Sequence, residues 1–219
     1  EAARQANLHV FRIIYEPSAA AIASNVALGA ESKTILVYDL GGGTFDVAVI
    51  RAALYNYQVI GNNGHPFLGG RDFDAAIFDI MKEQLASYGI DVLTWDRNRL
   101  AGLRSYAEEV KIELSRSNAY EVDLTEYAGD ELVDEDDAQF YITRKKFEKR
   151  IRGRIEETIA ICKSTLQSLH ITLGSSDSIL LVGGSSRIPL VREMLKEAFG
   201  DIIAANNNPN EDVAKGACM

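Results

Sequence analysis

The chain has 219 residues, 47% of them hydrophobic and 25% charged, enough to bury a sizeable core as one large domain or two small subdomains. A formal net charge of −9 argues against a nucleic-acid surface and against docking on anionic membranes, since both need clustered Lys and Arg. No apolar run approaches the roughly 20 residues of a membrane span.

The two cysteines, Cys162 and Cys218, have neither zinc-site nor disulfide-framework spacing, and read as buried structural thiols of a reducing compartment. A cytoplasmic location is therefore expected, with an organelle left open. The chain opens at Glu1 inside a helical pattern (Ala2, Ala3, Ala6), which reads as a piece of something longer. Val10 to Ile14 reads as a strand. Glu16-Pro17-Ser18 opens a short Ala-rich helix, with Pro17 in the first turn, where its missing N–H costs nothing.

Thr34 to Tyr38 and Val47 to Ile50 are β-branched, apolar runs expected to be buried strands. Between them runs Asp39-Leu40-Gly41-Gly42-Gly43-Thr44-Phe45-Asp46. Three glycines can adopt positive φ and bring backbone N–H groups close to a ligand, and successive N–H groups make an anion-binding concavity. Asp39 would repel a bare phosphate but suits one that arrives with Mg²⁺. The same residues also fit a plain hairpin turn whose acids end the strands. A third strand, Tyr55 to Ile60, is expected to stop at the turn chemistry of Gly61-Asn62-Asn63-Gly64, completing an antiparallel meander.

After Gly69-Gly70-Arg71-Asp72, apolar residues from Phe73 to Tyr88 recur at helical spacing and Gly89 ends the helix. A second helix carries Leu100, Leu103, Ala107, Val110 and Leu114 on one stripe. On its polar side Glu108, Lys111 and Ser115 lie three and four residues apart, a set that suits sugar hydroxyls but is equally ordinary on a wet helix face. The acidic stretch from Glu121 to Asp137 is flanked by short β-like runs and reads as a small sheet with solvated loops. A long helix follows from about Arg144 to Leu169, then the apolar strand Ser178 to Val182. That strand hands over to a helix through Gly183-Gly184-Ser185-Ser186-Arg187-Ile188-Pro189, where glycines, free helix N–H groups and the Arg187 plane would suit a phosphate or an aromatic base. Ser185 or Ser186 also suits a helix cap. Asn206-Asn207-Asn208-Pro209 reads as a turn and Asn210 as the cap of a last helix.

Three segments in this order, Asp39 to Asp46, Leu68-Gly69-Gly70-Arg71-Asp72-Phe73-Asp74 and Gly183 to Pro189, closely resemble the seventy-kilodalton heat-shock chaperones, the DnaK-like family. Ile13 to Ala21 and Asn208-Pro209-Asn210-Glu211 match family motifs as well. The resemblance covers the second half of the family's ATPase domain and implies an α/β, actin-like lobe. It would consist of subdomain IIA (1–68 and 151–219) interrupted by subdomain IIB (69–150). It implies ATP or ADP with Mg²⁺ as ligands. Gly41, Gly42, Gly43 and Thr44 would hold the phosphates, with Gly69 approaching from the side. Thr44 and Asp46 would lie near the attacking water, and Asp39 and Glu16 would bind the waters around Mg²⁺. Glu108, Lys111 and Ser115 would contact the ribose and purine, and Gly183, Gly184, Ser185, Arg187 and Ile188 the adenosine. Implied partners are the missing first lobe, a peptide-binding domain, a nucleotide exchange factor on subdomain IIB and a J-domain cochaperone near Arg12 and Tyr15. The intact protein would hydrolyse ATP in a folding cycle, and this lobe alone would be inactive. A regulatory homologue that keeps the fold as an interaction module is the alternative.

Five positions depart from the family pattern. Ile112 stands where a stacking Arg is usual, so adenine is expected to be held less tightly. Arg71 reverses the usual acid, His65 replaces another, and Asn210 replaces an Asp. Tyr15 stands where an Asn is usual.

Overall fold

A computed structural model describes residues 1–10, 13–24, 32–54, 56–128, 131, 139–205 and 212–218. Arg12, the 206–209 turn, Asn210 and residues 129–130 and 132–137 of the acidic stretch lie outside them.

The centre is a four-stranded mixed sheet in the order β3-β2-β1-β6. Strands β1 (Lys33–Leu40), β2 (Phe45–Ala53) and β3 (Asn56–His65) form the expected antiparallel meander, and β6 (Ser178–Val182) adds parallel to β1. Alternate residues of β1 serve opposite faces. Ile35 and Val37 pack with Ala20 and Ala21 of α2 (Glu16–Ala23) and Val213 of α8 (Asp212–Ala217). Leu36, Tyr38 and Leu40 pack with Ile155, Ile159 and Cys162 of α6 (Arg144–Ser168). Both faces are covered, so the strands read as nearly continuous apolar runs rather than an alternation. The Tyr38 hydroxyl, fully buried, bonds Thr158 Oγ1 of α6 at 2.7 Å.

Helix α3 (Gly70–Ser87) packs on α4 (Arg97–Leu114), and β4 (Ala119–Asp123) pairs antiparallel with β5 (Gln139–Thr143), as the apolar stripes foretell. A one-turn α5 (Thr125–Ala128) lies between those strands, and α1 (Ala2–Gln5) and α7 (Pro189–Phe199) complete the chain. One contiguous apolar core runs from Leu36 of the large sheet through Phe73 and Leu103 to Val122 and Ile142 of the small one. No described helix is long and apolar enough to cross a membrane.

Three expectations fail. Cys218, expected to be a buried thiol, is exposed, whereas Cys162 is buried. Val10, Ile13 and Ile14 lie outside any strand, and Ile13 is 90% exposed. Among the described residues no strand lies beside them to take up their backbone N–H and C=O groups. Gly61 to Gly64 do not end β3, which continues to His65, with Asn62 opposite Ala48 and Asn63 opposite Val47. A register shift at Val49/Ile50 absorbs the extra residue, and pairing along β2 overrides the local turn preference.

Candidate functional site

The turn between β1 and β2 closes through the Gly41 N–H, which donates to the Thr44 carbonyl at 3.1 Å. None of Gly41, Gly42 or Gly43 adopts positive φ, against the expectation. The absent side chains provide room instead. Gly69 packs its backbone onto Gly43, and the first amides of α3 bond the turn, Gly70 to the Gly41 carbonyl at 2.9 Å and Arg71 to the Gly42 carbonyl at 2.8 Å. The Ser185 hydroxyl donates to the same Gly41 carbonyl at 3.0 Å. The turn, α3 and the loop after β6 are thus fixed to one another. Gly42 and Thr44 are exposed, and among the described residues neither amide donates to a protein acceptor. Two unspent N–H groups on a fixed turn suit an anion.

The loop after β6 begins at Gly183, where φ is +81° and a Cβ would stand 2.7 Å from Asp39 Oδ1. Glycine is required there on both counts. A short 3₁₀ turn, Gly184–Arg187, then leads into α7. Gly184, Ser185, Arg187 and Ile188 face Glu108, Lys111, Ile112, Ser115 and Arg116 of α4 and its C-terminal end across a cleft of about 500 Å³, with Gly42 at its floor. The structure therefore brings together eight of the expected residues. Gly41, Gly43, Thr44, Asp39, Asp46, Glu16, Gly69 and Gly183 do not line this cleft. Asp39 and Asp46 lie directly opposite each other on β1 and β2, beyond the turn.

Within the cleft, Lys111 is 8% exposed and its Nζ lies 2.6 Å from Asp74 Oδ1 of α3. Burial pushes the Asp74 carboxyl up despite the ammonium beside it. The Ser115 hydroxyl donates back to the Lys111 carbonyl at 3.1 Å, which leaves its oxygen as an acceptor. Asp74 and Arg116 were not anticipated. Arg116 was legible, since 108, 112 and 116 continue one four-residue spacing along a helix face. Asp74 was not, because its partner lies on another helix.

Asp39 is pushed up to about 6, first by burial and then by the neighbouring charges of Glu16 and Asp46. Three acids with no cation among them fit a divalent ion that would relieve this repulsion. Among the described residues no group of three or more His, Cys, Asp or Glu side chains is placed to hold a metal ion directly.

A family model described as Hsp70 protein matches residues 1–219. The chain is 38% identical over 219 residues to the protein named "Heat shock 70 kDa protein, mitochondrial" of Pisum sativum. The match covers 100% of this chain and 32% of that protein, so the chain spans about a third of its relative's length.

Proposed function

The chain belongs to the Hsp70 family, and from that premise we propose that it is the nucleotide-binding lobe of a chaperone ATPase. The cleft between Gly184–Ile188 and α4, floored by Gly42, carries the reading. Adenosine enters between Arg187 and Ile112, the ribose meets Glu108 and Ser115, and the phosphates run toward the Gly42 and Thr44 amides. Gly41, Gly43, Gly69 and Gly183 shape that path through the backbone. Asp39 and Glu16 would hold Mg²⁺, which would supply positive charge against the phosphates. Asp39, with a pKa of about 6, is the carboxylate this needs at neutral pH, while Asp46 and Thr44 orient the attacking water.

Residues 1–68 and 151–219 act as subdomain IIA and 69–150 as IIB, with the second boundary inside α6. A nucleotide gripping both walls resists their separation, so an exchange factor that pulls on 69–150 lowers affinity. Tyr15, exposed and accepting a hydrogen bond from Asn62 Nδ2 at 2.8 Å, marks the proposed J-domain surface. Arg12, its proposed companion there, lies outside the described residues. A mitochondrial relative makes an organelle a reasonable compartment beside the cytoplasm.

Calorimetric titration with MgADP tests this: binding by the parent and clear weakening by Arg187→Ala are expected, and no heat at saturating ligand contradicts it. Without the other lobe, the chain should release no phosphate from ATP above background. Ile112, 42% exposed on the cleft wall where a stacking Arg is usual, favours a second reading, an interaction module with little turnover. Normal hydrolysis by the full-length protein would exclude that second reading.

A further inference from the structure

We propose that Arg71 determines specificity for the length of the phosphate tail, gripping the terminal phosphate of a nucleoside triphosphate; this rests on the nucleotide reading above.

Arg71 is the second residue of α3, and its backbone is tied to the turn through the Gly42 carbonyl. A methyl group added at Gly43 would find Arg71 Cζ, Nε and Nη1 at 3.8, 3.9 and 3.9 Å. Three guanidinium atoms at nearly equal distance place the plane broadside against the turn. Two cations flank this end of the cleft, and they differ. Lys111 lies against Asp74 and is nearly buried, so much of its charge is spent within the protein. Arg71 is exposed, and among the described residues no carboxylate pairs with it. Asp79 and Glu108 line the adjoining cleft of about 590 Å³ with it, yet neither forms an ion pair with it.

Arg71 lines the neighbouring cleft, which shares Glu108 with the nucleotide cleft, and its guanidinium lies against Gly43 of the turn. A guanidinium offers a planar fork of donors that matches phosphate oxygens, and the exposed Gly42 and Thr44 amides offer two more. A diphosphate engages the amides first. The additional phosphate of a triphosphate extends along the turn to the free fork.

The test compares ADP with a non-hydrolysable β,γ-imido analogue of ATP, both with Mg²⁺, on the 219-residue chain and on Arg71→Gln and Arg71→Lys. Arg71→Gln should weaken the triphosphate analogue roughly tenfold and ADP less than twofold. Arg71→Lys should restore part of the loss, and the parent's preference for triphosphate should fade with added salt. Equal weakening of both nucleotides, or no change in either, overturns the role of Arg71 and leaves the nucleotide site standing. A parent that binds neither nucleotide overturns the underlying reading and the role of Arg71 with it.

Discussion

Gly69 lies directly against Gly43: a methyl group added at Gly69 would stand 2.6 Å from the Gly43 amide nitrogen and 2.8 Å from its Cα. The Gly69 backbone is extended, with φ −177°, so the constraint is space and not backbone strain. Gly69→Ala must therefore push α3 away from the turn. The expected cost is about 1–3 kcal/mol, read as a lower urea midpoint with an unchanged slope. MgADP affinity should fall with it, since α3 carries Asp74 against Lys111. Wild-type stability in Gly69→Ala would contradict the packing described here.

Asp39 gives stability a pH dependence of known sign. Its folded pKa, about 6, lies above the ordinary 3.8, so the folded protein keeps this proton longer than the unfolded chain does. The contribution is fully present below 3.8 and is lost as pH rises through about 6, at a cost of about 3 kcal/mol at neutral pH. Asp39→Asn should thus be more stable than the parent at pH 7 by about 1–2 kcal/mol, with little difference near pH 4. The same variant should lose the Mg²⁺ dependence of nucleotide binding. Urea unfolding across that pH range checks the sign; a parent curve that climbs between pH 4 and 6 relative to Asp39→Asn would refute it.

The Lys111–Asp74 pair is a second point of leverage. Their side chains are 10% and 20% exposed, so removing one partner leaves a poorly solvated charge. Asp74→Ala should cost about 3 kcal/mol, and much of that loss should return in the double variant with Lys111→Met. Additive losses in the double-mutant cycle would mean that the two residues are not coupled.

Ile112 faces the cleft where Arg187 forms the opposite wall. Ile112→Arg supplies a second guanidinium plane and should tighten ADP by about 0.5–2 kcal/mol. Calorimetry on parent and variant measures the difference, and an unchanged affinity would remove adenine from this end of the cleft.

The strands and helices with a single strong period were legible from the residues alone. The stripe of α4, the buried run of β6 and the long α6 needed only their own spacing. The glycine turn between β1 and β2 was legible in place, but not in how its glycines act. Its glycines make room for Gly69 and for the α3 amides, and that need is invisible without knowing what packs behind the turn. Val10 to Ile14 and Gly61 to Gly64 misled for one reason: whether a segment is strand or turn depends on the partner beside it. Asp74 escaped notice likewise, as its role exists only through a lysine on another helix.

The proposed nucleotide site fixes where the ligand touches the chain. Adding MgADP to isotope-labelled protein and following backbone amide resonances tests this most directly. The amides of Gly42, Gly184, Ser185, Arg187 and Ile188 and those from Glu108 to Arg116 should shift together along one saturable curve. Unmoved resonances at saturating MgADP, or shifts confined to residues outside these two walls, would contradict it.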